Sequence, residues 1–241
     1  MDEHARRVER LRRALDRAAP VPGDAFECPY LPDRLARHVT VAAPGLLPGA
    51  YHALMDLNFR RLGPVYYRPE CDACRECRAL RVDVELHAPN RSQRRCLARN
   101  RDLAISVSRP RASDEKWELY RRYLSTRHDG RMDGSREEFG DFLYRTPDTA
   151  IETCYREGGR LVAVGVADVE PRALSAVYCY YDPDDQARAP GIFNVLWLID
   201  ECRRRGAPWL YLGYWVQASR KMAYKADFRP HQVWAGPNRW Q

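Results

Sequence analysis

The sequence predicts an α+β protein made of an N-terminal cysteine-containing α/β domain and a C-terminal domain with a mixed, mostly antiparallel sheet. Three β-rich runs follow one another at 151–155, 161–169 and 174–181, and a helical stretch and a buried strand at 209–215 come next. The earlier part of the chain contains many prolines and glycines and a closely spaced group of cysteines. We place the domain boundary near residue 110, which gives domains 1–110 and 111–241.

Composition restricts the classes of protein to which the chain can belong. With 241 residues, 45% of them hydrophobic, the chain can bury one large core or two small ones. No run of about 18 apolar residues is present to span a bilayer, and the arginine-rich N-terminus lacks the apolar stretch of a secretion signal. We therefore expect a cytoplasmic protein without membrane contact. Its eight cysteines should stay reduced there, as buried apolar residues or metal ligands.

The first half of the chain predicts short elements separated by breakers. An amphipathic surface helix with Val8 on its apolar face comes first, and the prolines and glycines of 20–50 favour short strands and turns. Apolar residues at helical spacing predict a helix over 52–61, which Gly63 ends. The other elements expected here are strands at 65–67 and 80–86, helices from 92 and over 113–127, and a polar turn at 128–135.

The order strand, strand, strand, helix, strand over 150–216 is that of the N-acetyltransferase superfamily core. We therefore expect an acetyltransferase-like (GNAT-like) fold, although a fold alone does not determine the chemistry. Enzymes of this fold hold the CoA pyrophosphate on backbone N–H groups at the start of the helix. In this chain Pro190 lacks such a donor and Phe193 places a bulky side chain there. These departures favour an acyl donor other than CoA.

Two basic groups predict contact with nucleic acid. The formal net charge of +7 favours polyanions in general, without specifying one. One group forms an arginine stripe on a helix that suits phosphate contacts, and the other is interleaved with aromatic rings that can stack on unpaired RNA bases. The tRNA-binding residues expected from these groups are Arg91, Arg94, Arg95, Arg99, Arg220, Lys221 and Lys225. A solvated basic helix explains the stripe equally well, so both interpretations stay open.

Three cysteines at two-residue spacing form a candidate metal site. The spacing of Cys71, Cys74 and Cys77 lets neighbouring thiolates turn towards one ion, and Cys28 is a candidate fourth ligand. An iron–sulfur cluster and zinc both fit this set of ligands. Three reduced thiols packed in a turn fit the spacing equally well, and the sequence leaves the alternatives open.

Longer motifs carry a resemblance to a known family. They include Asn58-Phe59-Arg60-Arg61-x-Gly63-Pro64, Tyr211-Leu212-Gly213-Tyr214-Trp215 and Ser219-Arg220-Lys221-Met222-x-Tyr224-Lys225. With these motifs the chain resembles the arginyl-tRNA–protein transferase family, and within it the bacterial aspartate/glutamate leucyltransferases. The resemblance implies transfer of leucine from aminoacyl-tRNA to proteins that begin with Asp or Glu, which marks them for degradation through the N-degron pathway. It implies no cofactor for the transfer.

Such a transfer requires alignment of an amine with an ester and a base of modest strength. Asp182, at the end of a predicted strand, is the candidate base, and Tyr180 or Tyr214 would position the amine. An acidic acceptor side chain requires a fixed cation. The candidates near the cysteines are Arg60, Arg61, Arg78 and Arg81.

Two other classes of function remain as alternatives. One is a CoA-dependent N-acetyltransferase with an altered phosphate turn, and the other is a non-enzymatic, metal-containing RNA-binding module. Linear spacing also does not distinguish leucine from arginine as the transferred amino acid, because a side-chain pocket is assembled from distant residues.

Overall fold

The computed structural model describes residues 2–43, 45–127, 134–237 and 239–241. The elements of the first third are α1 (Glu3–Ala18), β1 (Phe26–Glu27), β2 (Leu35–Ala36), β3 (His38–Ala42), α2 (Ala50–Met55), β4 (Arg60–Leu62), β5 (Val65–Pro69) and β6 (Arg78–Asp83). The middle third contains α3 (Arg91–Arg99), β7 (Ala104–Ser108), α4 (Asp114–Arg127), α5 (Arg136–Phe139), β8 (Ala150–Glu157) and β9 (Arg160–Glu170). The last third contains β10 (Ala173–Tyr181), α6 (Pro190–Arg205), β11 (Trp209–Trp215), α7 (Arg220–Ala223), β12 (His231–Gly236) and β13 (Arg239–Trp240). No helix in these ranges is long and apolar enough to cross a membrane.

Among the described residues, eight strands form one central sheet in the order β13-β12-β6-β11-β10-β9-β8-β7. Its neighbouring strands pair antiparallel except β10 and β11, which are parallel and are joined by the crossover helix α6. Strand β6 lies between β11 and β12, so the part of the chain before residue 110 contributes to the same sheet as the part after it. The division into two domains at residue 110 stays a prediction.

Strands β10 and β11 pair at their beginnings and then separate. Their register runs from Ala173 opposite Trp209 to Ser175 opposite Tyr211, and both strands continue past these positions. Just beyond this point each strand also has an irregularity in the pairing with its other neighbour. The two strands therefore leave a fork that opens towards their C-terminal ends.

Apolar clusters hold helices against both faces of the sheet. On one face, α3 and α6 cover a cluster in which Leu174, Leu198 and Leu210 are buried. Tyr211, which follows Leu210 along β11, belongs to the cluster of α1 and α2, so these helices cover the other face. The pair α4 and α5 packs there too, in a third cluster around Phe139. Burial of each large apolar side chain contributes about 1.5–3 kcal/mol.

The α+β class and the strands and helix expected over 150–216 are confirmed, whereas two earlier elements differ. The helix predicted over 52–61 ends at Met55, because Asn58 adopts a φ of 66° and the chain turns into β4. The strand predicted over 80–86 ends at Asp83, which accepts hydrogen bonds from the backbone of the next turn and leaves Leu86 exposed. Of the polar turn predicted at 128–135, residues 128–133 lie outside the described residues.

Candidate active site

The guanidinium group of Arg60 fills the fork between β10 and β11. Its Nη2 donates to the carbonyl oxygens of Ala176 at 3.2 Å and Val177 at 3.3 Å, in the part of β10 that has separated from β11. On the β11 side, Gly213 has a φ of 74°, and a Cβ atom there would overlap Arg60 Nη1. Glycine at this position therefore permits both the backbone conformation and the close approach of the arginine.

Four tyrosines lie around Arg60: Tyr30, Tyr51, Tyr67 and Tyr214. The guanidinium is 5.8 Å from the centroid of the Tyr214 ring, whose hydroxyl donates to the carbonyl oxygens of Asn58 and Tyr67 at 3.0 Å. Burial raises the pKa of Tyr214 well above its usual value, so this phenol is neutral. Within the described part of the chain, Arg60 makes no ion pair with a carboxylate, and its buried Nε has no hydrogen-bond partner.

Lys225 lies beside the same fork and not on a surface that could bind RNA. Its side chain is buried, with an exposure of 6%, and its Nζ donates to the carbonyl oxygen of Tyr214 at 2.7 Å. Burial, and then the charge of Arg60, lower the pKa of Lys225 well below its usual value. This burial argues against the prediction that Lys225 contacts tRNA, because a buried amine cannot reach a phosphate backbone.

Two of the other arginines predicted to bind an acidic acceptor are already neutralised. Arg61 donates to both carboxylate oxygens of Asp168 at 2.7 and 2.9 Å, and each side chain is 1% exposed. Arg81 lies between two indole rings and 3.3 Å from the carboxylate of Asp56. Arg78 lies over a third indole ring, 5.7 Å from its centroid. These contacts argue against Arg61 and Arg81 as acceptor-binding residues and leave Arg60 as the best-placed cation.

The three predicted catalytic residues do not form one constellation. Arg122 donates to both oxygens of the Asp182 carboxylate at 3.0 and 2.9 Å, and a second arginine donates to it at 3.2 Å. Both oxygens of this carboxylate are therefore occupied by guanidinium donors. This geometry argues against Asp182 as the base. Tyr180 packs in the α4–α5 cluster, 2.7 Å from the hydroxyl of Tyr144, whereas Tyr214 lies beside Arg60 and is positioned to contribute to that site.

The four predicted metal ligands line one pocket together with Tyr30: Cys28, Cys71, Cys74 and Cys77. Burial, and then the neighbouring thiols, raise the pKa of Cys77 to about 12. Four thiols are a suitable donor set for zinc or an iron–sulfur cluster. In the described ranges, the one set of three potential ligand atoms within 4.8 Å of one another belongs to other residues, so the thiols do not form a closed coordination site.

That set comprises His4, His52 and Asp56. Hydrogen bonding explains their proximity: His4 Nε2 lies 2.8 Å from the Asp56 carboxylate, which also accepts from the Tyr211 hydroxyl and from Arg81. His52 Nε2 lies 3.2 Å from the same hydroxyl. Since a guanidinium already supplies positive charge to Asp56, the cluster fits a polar network that joins α1 to α2 better than a cation site.

The other residues predicted to bind tRNA are exposed and lie on two segments that contact each other. Helix α3 begins with a capping box between Asn90 and Gln93, and Gln93 Nε2 also donates to the carbonyl oxygen of Asp227 at 3.3 Å. This contact holds α3 beside the segment that carries the second basic group. The exposed residues predicted to bind tRNA, here named the basic face, are Arg91, Arg94, Arg95, Arg99, Arg220 and Lys221.

Of the four tyrosines around Arg60, sequence reasoning selected Tyr214 as a candidate site residue but not Tyr30, Tyr51 or Tyr67, and it also missed the partner of Arg61. Asp168 interrupts an apolar run in β9, and a charge in a buried strand usually has an opposite charge as its partner, so this signal was present. Glu152 is a second charge in a buried strand, and it likewise has an opposite charge as its partner, Lys116. No linear pattern connects Tyr30 with the fork.

Comparisons with known proteins give a consistent relationship. Residues 26–95 match a family model described as the N terminus of arginine-tRNA-protein transferase, and residues 115–235 match the model of its C terminus. An aspartate/glutamate leucyltransferase of Thiobacillus denitrificans is 43% identical over 211 residues, which are 86% of this chain and 88% of that protein. The protein of the same name from Pseudomonas paraeruginosa is 41% identical over 216 residues, which are 88% of this chain and 92% of that protein.

A solved structure with the same fold is the C-terminal domain of a protein assigned as a lysylphosphatidylglycerol synthetase from Agrobacterium fabrum. The superposition has a TM-score of 0.50 and 18% sequence identity, and it covers 77% of this chain. The chain spans 64% of that domain, slightly less than two thirds of its length. At this identity the likeness concerns the fold alone.

Proposed function

Because the chain belongs to the arginine-tRNA–protein transferase family, we propose that it transfers leucine from an aminoacyl-tRNA to the α-amine of proteins whose first residue is Asp or Glu. The names of relatives that are 41–43% identical over most of the chain support both the donor and the acceptor. The added leucine would mark the acceptor protein for degradation. The chain is thus an aminoacyltransferase.

The reaction exchanges an ester for an amide. The acceptor nitrogen forms a bond to the leucyl carbonyl carbon, the bond from that carbon to the ribose oxygen of the tRNA breaks, and a proton moves from the amine to the released hydroxyl. The ester is already activated, so alignment of the two substrates can supply about 7–11 kcal/mol of the barrier. An α-amine with a free pKa of about 8 needs only modest help to lose its proton. The transfer requires no cofactor.

The observation that carries the acceptor specificity is the unbalanced charge of Arg60. Its guanidinium lies in the fork of the acyltransferase-like sheet, makes no ion pair among the described residues and keeps a buried Nε without a partner. A buried donor left unsatisfied costs about 1–3 kcal/mol, more when it is charged, and a ligand carboxylate would remove that cost. Aspartate and glutamate side chains supply this carboxylate, while the uncharged side chains of other acceptors do not.

The exposed basic face would bind the tRNA donor. The hydrogen bond from Gln93 to Asp227 holds the arginines of α3 beside the segment that carries Arg220 and Lys221. Contacts of this kind with phosphates give affinity that depends on salt and not on base sequence. Arg220 and Lys221 lie on the segment that follows β11, so this part of the face would guide the charged end of the tRNA towards the fork.

The cysteine pocket would hold a structural metal. Zinc or an iron–sulfur cluster would be bound by Cys28, Cys71, Cys74 and Cys77, which would fix the loop between β5 and β6. Metal analysis of the purified chain and of Cys74→Ser tests this assignment. An equimolar metal that is lost in the variant supports it, and a metal-free wild-type chain with full transfer activity excludes it.

The proposed reaction is tested by transfer of radiolabelled leucine to peptides that begin with Asp, Glu, Ala or Lys. Arg-tRNA, run in parallel, tests the alternative donor. We expect label on the Asp and Glu peptides from Leu-tRNA alone. Label from Arg-tRNA would identify arginine as the transferred amino acid, and no label from either tRNA would reject the proposed reaction.

The role of Arg60 is tested by Arg60→Gln, with Arg91→Gln as the matched control. We expect the Arg60 variant to lose the preference for Asp over Ala peptides. The control removes a guanidinium from the exposed face, so it should weaken transfer to both peptides by the same factor. Unchanged discrimination in the Arg60 variant would exclude this residue from acceptor recognition.

A further inference from the structure

A second basic side chain without a negative partner among the described residues lies beside the fork that Arg60 fills. Lys225, in the turn Tyr224–Asp227, is buried, and the one hydrogen bond described for its Nζ goes to the backbone carbonyl of Tyr214 at 2.7 Å. That carbonyl belongs to β11, the strand that forms one side of the fork. An ammonium group has three donors, so this one retains capacity for a further acceptor.

The charges around the fork do not balance. The buried carboxylate of Asp168 interacts electrostatically with Arg60, but Arg61 donates to both of its oxygens. In the described part of the chain, neither Arg60 nor Lys225 forms an ion pair. Burying the guanidinium of Arg60 without a counter-ion is unfavourable, and protonation of Lys225 beside it adds to that cost. A site of this kind is stabilised when an anion enters it.

The tyrosines around Arg60 supply no negative charge, so an anionic ligand would have to supply it. Four neutral phenols lie around Arg60, and they can donate or accept hydrogen bonds but carry no charge. Tyr30, which interacts electrostatically with Arg60, and Cys77, which does so with Lys225, also line the cysteine pocket. Tyr30 and Cys77 therefore link the surroundings of the two basic groups to this pocket, which neither Arg60 nor Lys225 lines. Cys77 also borders a neighbouring cavity of about 270 Å³.

We propose that Lys225 is a specificity-determining residue that binds, together with Arg60, the side-chain carboxylate of the acceptor's first residue. The two oxygens of a carboxylate can each accept from one of the two cations. An amide has the same shape but would leave both charges unbalanced, so the pair distinguishes Asp from Asn and Glu from Gln. This assignment rests on the proposed transfer to acidic N-termini.

The low pKa of Lys225 is consistent with this role. Burial and the charge of Arg60 both disfavour the protonated amine in the empty site. A bound carboxylate opposes both effects, since it attracts the ammonium and offsets the repulsion from the guanidinium.

The competing explanation is that Lys225 only fastens its turn to β11. The two roles separate in the substitution Lys225→Gln, which keeps an N–H donor for the Tyr214 carbonyl and removes the charge. A fastening role would leave the preference between acidic and amide acceptors unchanged. Loss of the charge from an acceptor pocket would lower transfer to Asp peptides selectively.

The experiment compares kcat/KM for four peptides that differ only in the first residue, Asp, Asn, Glu or Gln, with Leu-tRNA as donor. We expect the Asp-to-Asn and Glu-to-Gln ratios to fall at least about tenfold in Lys225→Gln and Lys225→Met, because a hydrogen bond between charged groups is lost. Lys221→Gln is the matched control: it removes an exposed cation four residues earlier and should change all four rates by the same factor.

The outcomes separate the two proposals. Absence of transfer to the Asp peptide by the wild-type chain would overturn the proposed function itself. Transfer by the wild type, with unchanged ratios in folded Lys225→Gln, would overturn the role of Lys225 alone. Loss of a cooperative unfolding transition in both neutral variants would make Lys225 a structural residue and would also overturn the proposal.

Discussion

The buried ion pair between Arg61 and Asp168 gives a sharp test of which cations near the fork are structural. Both side chains are 1% exposed, and the guanidinium donates to both carboxylate oxygens. Asp168→Asn keeps the shape of the side chain but leaves Arg61 charged, buried and without an anion. Breaking a buried pair in this way costs about 3–5 kcal/mol. For a chain of this size each kcal/mol lowers the Tm by about 2–4 °C, so we expect a decrease of about 6–20 °C.

The measurement is thermal unfolding followed by circular dichroism, with Asp148→Asn as the control. Asp148 pairs with Arg109 at 3.5 Å on the surface, where the side chains are 92% and 73% exposed, and such pairs contribute about 0–1 kcal/mol. At a temperature where Asp168→Asn is still folded, its Asp-to-Asn acceptor ratio should equal that of the wild type. A Tm change no larger than that of the control would refute a structural role for the pair of Arg61 and Asp168. A lowered Asp-to-Asn acceptor ratio would indicate that Arg61 takes part in acceptor binding.

Three further substitutions test other parts of the argument. Gly213→Ala should displace Arg60 from the fork, at a backbone cost of about 1–2 kcal/mol, and should lower kcat/KM for Asp peptides; wild-type kinetics would contradict the close approach. Asp182→Asn should retain transfer, since loss of a true general base would cost about 10²–10⁴-fold in rate, a loss that single-turnover kinetics would detect. His52 has a pKa lowered from 6.5 to about 3 by burial, so below pH 6.5 the unfolded chain binds a proton that the folded chain does not, and stability falls as the pH falls. Denaturant unfolding at pH 7 and pH 5 should therefore show a smaller loss in His52→Gln than in the wild type; equal losses would assign the pH dependence to other groups.

Patterns that act over short distances predicted much of the fold. Alternating apolar residues identified the three adjacent strands of 150–181, and the apolar face of α6 with Gly206 at its end identified the crossover helix. The helix predicted over 52–61 failed because Asn58 adopts a left-handed conformation, which no periodicity reveals. The insertion of β6 between β11 and β12 was also not predicted, since pairing between distant strands leaves no signal in the spacing of one strand.

The candidate site was predicted in its residue types but not in its roles. Arg60 and Lys225 were both selected as functional cations, yet the sequence assigned them to different ligands. Lys225 is buried beside the fork and does not lie on the exposed basic face. Arg61 and Arg81 have carboxylate partners, whereas Arg60 has none among the described residues. Each of these distinctions depends on a partner that is distant in the chain.

The sequence by itself determined the fold class, the basic character of one face and, through its motifs, the family. These properties follow from local periodicity, composition and short runs of side chains, which are present before the chain folds. Only the tertiary structure decided which of the charged groups are neutralised. The free energy of a charge depends on its burial and on the opposite charges within a few ångströms, and packing alone brings Arg60, Lys225 and the ends of β10 and β11 together.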